Sequence, residues 1–161
     1  MTKKQEAKPT ELDAQFAAAL KLMFEEKIKF NKVLGLQITS IKSGSATGRI
    51  DMKPELAGHL TQYRLHGGVV SAVLDSLGGL ALMAEVGARH IGESVAQRVQ
   101  RCHRVGTIDL RVDYLRQAIS EHFELRSEVV RMGSRVGTVR MECLSASGVL
   151  IAVGSGAYIV S

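Results

Sequence analysis

Apolar and polar residues follow two different periods along this chain. From Leu12, apolar residues recur at intervals of three and four, which is the spacing of one helix face. The spacing predicts an amphipathic helix that ends near Asn31, after a loose polar tail over residues 1–10. Thr10 and Asp13 have the spacing of a capping box, so we expect them to begin this helix.

Most of the later sequence has the period of two that half-buried strands show. This period predicts a hairpin over residues 33–52 and an irregular loop over 54–63. Four further strands are predicted over residues 106–115, 122–132, 136–144 and 149–160, after a short helix over 93–103. Short glycine-containing turns separate the last three strands, and strands joined by such turns form an antiparallel sheet.

One long segment has neither period. Residues 65–86 are apolar on nearly every face of a helix, and a helix of that kind is a buried one. A single apolar helix against an antiparallel sheet predicts an α+β fold. The length of 161 residues and the 45% of apolar residues fit one domain over residues 11–161.

Composition limits the functional classes. The longest apolar region, residues 69–83, is interrupted by Asp75 and is too short to be expected to cross a bilayer. The charged start does not have the apolar stretch of a signal peptide. Two cysteines do not form a disulfide framework, so a cytoplasmic protein is expected. The net charge of +5 favours an anionic partner or simple solubility. The sequence contains no nucleic-acid-binding motif and no zinc-ligand spacing, so we expect neither a nucleic acid nor a metal.

Asp75 is the residue most indicative of chemistry. It stands among leucines and valines in the predicted buried helix, where a charge is costly. Such a carboxylate either finds hydrogen-bonding partners or has its pKa raised, and both would suit a general base. A purely structural aspartate in the core or at a subunit contact would explain the same pattern.

Gly67 and Gly68 stand where the same helix is expected to begin. The first N–H groups of a helix have no intrahelical acceptor, and the absence of a Cβ lets a ligand carbonyl approach them. This arrangement suits an oxyanion hole for acyl transfer, although glycines at a helix start can also serve the turn alone. Gly78 and Gly79 lie three and four residues after Asp75, on its face of the helix, where they could leave space for substrate.

The spacing between the two candidate groups has a structural consequence. Gly67 and Asp75 are eight residues apart, which is about 12 Å along a helix. That separation is too large for both to act on one carbonyl carbon. Two antiparallel copies of the helix, related by a two-fold axis, would instead bring Gly67 of one copy near Asp75 of the other.

Two motifs resemble those of a known family. The sequence HGGVVSAVLD, residues 66–75, and the sequence RVGTIDLRVDYLR, residues 104–116, are similar to motifs of the hotdog-fold thioesterases of the PaaI-like group, particularly the bacterial YigI-type subgroup. The resemblance covers most of the chain. It implies a five- to six-stranded antiparallel sheet wrapped around a long central helix, and hydrolysis of medium- or long-chain acyl-CoA thioesters without a cofactor. It also implies a homo-oligomer, either a dimer or a pair of dimers.

The resemblance also implies roles for individual residues. Asp75 would be the general base or the nucleophile, and the Gly67 N–H would polarise the thioester carbonyl with support from His66. Thr107 would hold the attacking water or the carboxylate. Relatives usually carry a Gly-Asn pair shortly before the His-Gly-Gly motif, where this chain has Gly58 and His59. The candidates for the role of that asparagine are therefore His59 and Gln62.

Several arginines could contact the phosphates of CoA; we take Arg104, Arg116 and Arg135 as the candidates for substrate binding. Two other functional classes stay open. One is a hydratase or dehydratase of the same fold, and the other is a module that binds acyl-CoA without catalysis.

Overall fold

The structure, a computed structural model, describes residues 11–59 and 61–161. The tail predicted over residues 1–10, including Thr10 of the capping box, lies outside the described residues. The helices and strands in chain order are α1 (Ala14–Leu22), α2 (Lys29–Leu34), β1 (Gln37–Lys42), β2 (Ser45–Asp51), α3 (Gly67–Arg89), α4 (Val95–Cys102), β3 (Gly106–Tyr114), β4 (His122–Met132), β5 (Val136–Ser145) and β6 (Leu150–Ile159).

The six strands form one antiparallel sheet in the order β1-β2-β4-β5-β6-β3. The long helix α3 packs against all six strands, and its leucines, valines and alanines form the centre of the hydrophobic core. The predicted α+β fold, with a six-stranded antiparallel sheet wrapped around a central helix, is confirmed, as are the four strands predicted after residue 105.

Helix α3, with 23 residues, is the longest helix among the described residues. By length and composition it could cross a bilayer. However, it is buried between the sheet and the other helices, and residues such as Val73, Leu77 and Leu80 are fully inaccessible. It is therefore the core helix of the fold.

The N-terminal helix differs from its prediction in two ways. Asp13 is itself the N-cap, because its side chain accepts a hydrogen bond from the N–H of Phe16. The helix is also interrupted: a π-helical segment, Met23–Lys27, ends at an extended Ile28, after which α2 continues. Buried Asn31 in α2 accepts from the Ser76 hydroxyl at 2.9 Å, so this short helix is tied to α3 one residue after Asp75.

The predicted first strand begins too early. Residues 33 and 34 are the end of α2, and Gly35 ends that helix in the left-handed conformation, with a φ of 73°. Leu34, Leu36 and Ile38 are all buried, so an alternating apolar pattern runs from the last helical turn into β1. The prediction of a strand at residues 33–36 was wrong for that reason.

The two edges of the sheet differ. At the β1 edge, the Ile38 N–H donates to the Glu25 carboxylate at 2.6 Å, and the Ile38 carbonyl accepts from Lys21 at 2.7 Å. Side chains of the N-terminal helical region thus occupy backbone groups that another strand would use. At the other edge, no strand among the described residues pairs with the outer side of β3, and Ile108 is 59% exposed there.

Candidate active site

Helix α3 begins at the predicted His-Gly-Gly motif. His66 is the N-cap, and its Nδ1 accepts a hydrogen bond from the Gly68 N–H at 2.9 Å. Gly58 packs directly against His66, because a Cβ at Gly58 would lie 2.7 Å from the His66 Cα. The loop before the helix therefore holds the capping ring in place, and the Gly68 N–H is already occupied.

The Gly67 N–H is in a different position. Among the described residues it has no acceptor, as expected for the first N–H of a helix. Tyr114 from β3 lies beside it: the phenol donates to the Gly67 carbonyl at 2.7 Å, and the Ser71 hydroxyl donates to the same oxygen at 3.2 Å. Gly67 thus offers a free donor at the positive end of the α3 dipole.

A cavity of about 470 Å³ opens beside this donor. Gly67, Val70 and Tyr114 line it together with Arg64 and Arg116. The lining is therefore partly apolar and partly cationic, which suits a ligand with both an uncharged chain and anionic groups.

Asp75 lies two turns further along α3 and is half-buried. Its Oδ1 accepts from the Thr107 hydroxyl at 2.8 Å and from the Tyr158 hydroxyl at 3.0 Å. Its Oδ2 receives no hydrogen bond from the described residues. The carboxylate is consequently held through one oxygen, and the other oxygen is available to a water molecule or an acyl group.

Tyr158 is a constant donor to this carboxylate. Burial raises the pKa of its hydroxyl well above the usual range, and the nearby negative charge of Asp75 raises it further. The phenol therefore keeps its proton throughout the physiological range. Its oxygen also lies 3.0 Å from the backbone carbonyl oxygen of Asp75, so its one proton is shared between the helix backbone and the side chain.

Gly78 and Gly79 have different surroundings. A Cβ at Gly78 would lie 2.5 Å from the Tyr158 hydroxyl and 2.8 Å from the Met141 sulfur. The space beside Gly78 is thus filled by Tyr158 and is not an open channel for substrate. A Cβ at Gly79 would meet only the Tyr158 ring, at 3.9 Å, so the predicted space for substrate stays a prediction at that position.

The predicted catalytic residues form two separate groups in the structure. One group is Gly67 with His66, at the start of α3. The other is Asp75 with Thr107, two turns away along the same helix. Strand β3 runs between the two groups. Its first residue, Gly106, lies near the Asp75 group, and its last residue, Tyr114, lies near the Gly67 group. Neither group alone contains both a donor for an oxyanion and a base.

The remaining predicted residues are dispersed over the surface. His59 is exposed, and its Nδ1 accepts from the backbone N–H groups of Thr61 and Gln62 at 3.3 and 3.2 Å. The exposed side chain of Gln62 has no hydrogen-bonding partner among the described residues. Within one chain, neither His59 nor Gln62 contacts Asp75.

The three predicted arginines lie at different places. Arg116 donates to the Leu150 carbonyl at 2.9 Å and lines the cavity beside Gly67. Arg104 lines a second cavity, of about 220 Å³, at the far end of α3. Arg135 precedes β5, and its carbonyl accepts from the Val160 N–H. Val160 also lines the second cavity, so Arg104 and Arg135 are at one end of the sheet and Arg116 is at the other.

Neither a cluster of metal ligands nor a reactive thiol is found among the described residues. In the part of the chain that the structure describes, no three His, Cys, Asp or Glu side chains come together as a metal site. Burial raises the pKa of the Cys102 thiol and of the Cys143 thiol to about 12. These thiols therefore stay protonated at neutral pH and are poor nucleophiles.

Sequence reasoning missed Tyr114, Tyr158 and Ser71. Tyr158 contacts a residue 83 positions away, and Tyr114 contacts one 47 positions away, so local patterns contain no trace of either pair. The usable signal is chemical and applies to Tyr158 alone, because a tyrosine at a buried strand position must find a partner for its hydroxyl.

Comparison with known proteins assigns the chain to a protein superfamily. A family model described as the thioesterase superfamily matches residues 64–152, which is more than half of the chain and includes both groups of candidate residues. The chain belongs to the thioesterase superfamily and has its hotdog fold.

Two similar proteins come from enteric bacteria. The chain is 36% identical over 145 residues to the medium/long-chain acyl-CoA thioesterase YigI of Salmonella typhimurium, a match that covers 88% of this chain and 94% of that protein. The Escherichia coli K12 protein of the same name matches with the same identity and coverage.

Solved structures support the same assignment. A Shewanella oneidensis protein related to the thioesterase superfamily superposes with a TM-score of 0.85 at 38% identity, covering 92% of this chain and 97% of that one. A Syntrophus aciditrophicus protein of proposed thioesterase function has a TM-score of 0.80 at 34% identity, covering 89% and 95% of the two chains.

Proposed function

We propose that this protein hydrolyses acyl-CoA thioesters, of medium or long acyl chains, to a free acid and CoA. The observation that carries the proposal is the carboxylate of Asp75, which is held at Oδ1 by Thr107 and Tyr158 while Oδ2 receives no hydrogen bond from the described residues. A membership of the thioesterase superfamily and the similarity to proteins named as acyl-CoA thioesterases give the substrate class.

The reaction needs a base and an oxyanion donor on one thioester. In the proposed mechanism, Asp75 takes a proton from water as the water oxygen attacks the carbonyl carbon. The Gly67 N–H stabilises the negative charge that develops on the carbonyl oxygen. The carbon–sulfur bond then breaks, and the proton held by Asp75 passes to the departing sulfur. Direct attack by Oδ2, with an acyl–Asp75 anhydride that water then opens, is the alternative route.

We infer that the complete site needs two copies of the chain. The outer side of β3 is open, and an antiparallel pair of β3 strands with its two-fold axis near Leu110 would place Thr107 of one copy opposite Asp113 of the other. Tyr114 and Gly67 of the second copy would then approach Asp75 of the first. Each dimer would have two equivalent sites, and two dimers could pair further.

The same pairing gives the candidate arginines a common role. With the axis near Leu110, Arg104 of one copy lies toward Arg116 of the other, although they are far apart within one chain. We propose that these two arginines, with Arg135 behind Arg104, contact the phosphates of CoA. We place His59, Gln62, Gly68 and Gly79 among the groups that line the remainder of the substrate site, and we expect the protein to act in the cytoplasm.

The test is a free-thiol assay over a panel of acyl-CoA chain lengths. Asp75→Asn keeps the size of the side chain but removes the base, so we expect kcat to fall by about a thousandfold or more. Asp51→Asn, at an exposed strand position on β2, is the matched control. The two buried thiols of the protein, each with a pKa of about 12, should not react with the thiol reagent.

A mixed-subunit experiment tests the two-copy site. Asp75→Asn and Gly67→Pro, which removes the donor N–H, are each expected to be inactive. Co-expression of the two variants should restore part of the activity, because some mixed dimers retain one intact site. Full activity of Asp75→Asn would reject the mechanism. Absence of complementation between two folded variants, shown to form mixed dimers, would reject the site shared between copies. Hydration of an enoyl-CoA without release of thiol would favour a hydratase.

A further inference from the structure

Three side chains hold one peptide group in the first turn of α3. This is the peptide between Gly67 and Gly68. Its carbonyl oxygen accepts from the Tyr114 hydroxyl at 2.7 Å and from the Ser71 hydroxyl at 3.2 Å. Its N–H, on Gly68, donates to Nδ1 of His66 at 2.9 Å. The peptide is therefore fixed at both ends.

The helix itself does not need the two hydroxyls. A helix start needs a side-chain acceptor, which His66 supplies, and a helical carbonyl is ordinarily satisfied by the N–H four residues later. Tyr114 is also 52% exposed, so its hydroxyl could be satisfied by water at no cost. The Tyr114 and Ser71 hydroxyl oxygens nevertheless lie 2.5 Å apart and beside the Gly67 carbonyl. With one proton each, the two hydroxyls supply two of these three hydrogen bonds at a time.

We propose that Tyr114, together with Ser71, is a positioning residue that fixes the direction of the Gly67 N–H toward the thioester oxygen. This inference rests on the proposed function. The Gly67 N–H belongs to the preceding peptide, which shares the Gly67 Cα with the fixed one. Glycine has the widest backbone freedom of any residue, so an anchored neighbouring peptide removes most of the motion that would turn the donor away. An oxyanion donor is effective only when it is oriented beforehand.

The packing around Gly67 supports this role. A Cβ at Gly67 would lie 3.3 Å from the Tyr114 ring, which is tighter than an ordinary contact, and 3.5 Å from its hydroxyl oxygen. Glycine at this position therefore leaves room for the Tyr114 ring beside the helix start. The ring also lines the cavity of about 470 Å³ beside the donor.

The decisive variant is Tyr114→Phe, which keeps the ring and removes the hydroxyl. Because the donor acts on charge that develops in the transition state, we expect kcat to fall by about tenfold while KM is unchanged. Ser71→Ala should give a smaller fall. The double variant should fall little further than Tyr114→Phe, because both hydroxyls act on one carbonyl. Tyr63→Phe, at an exposed tyrosine in the loop before α3, is the matched control.

Amide hydrogen exchange gives a second measurement that does not depend on turnover. In Tyr114→Phe, exchange of the Gly68 N–H, which donates to His66, should be faster by about threefold or more, with no change in the core strands. A kcat within about twofold of the wild type, or a raised KM with unchanged kcat, would overturn the proposal. A wild-type protein that hydrolyses no acyl-CoA would reject the proposed function, and the exchange rates would still test the contact.

Discussion

At the scale of single residues, the Asp75 side chain is bound unequally at its two oxygens. Thr107 and Tyr158 both donate to Oδ1. Because the Tyr158 pKa is raised by burial and by the carboxylate itself, this donor cannot become an anion that repels Asp75. The two hydroxyls thus orient the carboxylate and leave Oδ2 to react.

Removal of the Tyr158 hydroxyl should therefore affect turnover more than binding. A hydrogen bond to a charged group contributes about 1.5–3 kcal/mol, so we expect Tyr158→Phe to lower kcat by about tenfold or more with KM unchanged. Thr107→Val should give a similar loss. Steady-state kinetics beside Tyr63→Phe checks this, and equal kcat values for Tyr158→Phe and the wild type would contradict it.

The sequence indicates the candidate site only in part. Asp75 stands out because a charge interrupts an apolar helix, and Gly67 stands out because the helix begins there. Tyr114 and Tyr158 do not stand out, because a tyrosine in an alternating strand has the pattern of any core aromatic residue. Their roles depend on which strand lies beside α3, and that is a property of the complete sheet.

At the scale of elements, the approach of α3 to the sheet depends on one of two adjacent glycines. Gly78 faces Tyr158, Met141 and Val139 at distances that no side chain could occupy, whereas Gly79 has ordinary space around it. The contact between helix and sheet is therefore tight one turn after Asp75, where Tyr158 reaches the carboxylate.

This difference predicts opposite effects of the same substitution. Gly78→Ala should lower the free energy of unfolding by about 1–3 kcal/mol through overpacking. Gly79→Ala should raise it by up to about 1 kcal/mol through helix propensity. Chemical denaturation of both variants measures the two changes in the free energy of unfolding. A Gly78→Ala variant as stable as Gly79→Ala would show that Tyr158 can move without cost.

The ion pair between Asp13, the N-cap of α1, and Arg98 of α4 predicts that the free energy of unfolding depends on pH. The N–H of Phe16 and the buried guanidinium of Arg98 hold the pKa of Asp13 below its usual value of 3.8. The ion pair therefore stabilises the fold above about pH 4, and this contribution is lost as the pH falls through the lowered pKa. Asp13→Asn keeps an N-cap but removes the charge.

We expect Asp13→Asn to lower the free energy of unfolding at pH 7 by about 1–2 kcal/mol, because Asp13 is partly exposed. The difference from wild type should shrink below about pH 4, where Asp13 becomes protonated first in the unfolded chain, and disappear as the pH falls through the lowered pKa of the folded protein. Urea denaturation from pH 3 to pH 7 measures this, with Glu55→Gln as an exposed control. A difference independent of pH would exclude the ion pair as its cause.

Elements were predicted well where periodicity and burial agree. The strands from β3 to β6 alternate because one face of each lies on α3. The prediction was wrong at residues 33–36, where a helix ends at Gly35 and buried Leu34 and Leu36 imitate a strand. The break at Ile28 was also missed, because the apolar positions keep their spacing through the π-helical segment.

At the scale of the whole molecule, activity is expected to depend on assembly. The Gly67 group and the Asp75 group are apart in one chain, and the open edge of β3 is the place where a second copy would join them. Ile108, at the irregularity in the β3–β6 register, presents an apolar side chain at that edge, 59% exposed in one chain.

A charge at this edge should separate the copies. We expect Ile108→Lys to shift the protein toward monomers in sedimentation experiments and to lower the acyl-CoA thioesterase activity in parallel, by about a hundredfold or more. Ile91→Lys, at an isoleucine that is 75% exposed between α3 and α4, is the control. A fully active monomeric Ile108→Lys protein would mean that one chain suffices.

The β1 edge limits how far the sheet can be extended by strands of other chains. Lys21 and Glu25 bind the backbone of Ile38, so each chain has one side on which its sheet can be extended. If two chains joined through that side, both ends of the shared sheet would terminate in a β1 strand whose Ile38 backbone groups are already bonded. Strand addition would then be expected to stop at a pair. Loss of the Lys21 and Glu25 side chains would free those groups without touching the catalytic groups.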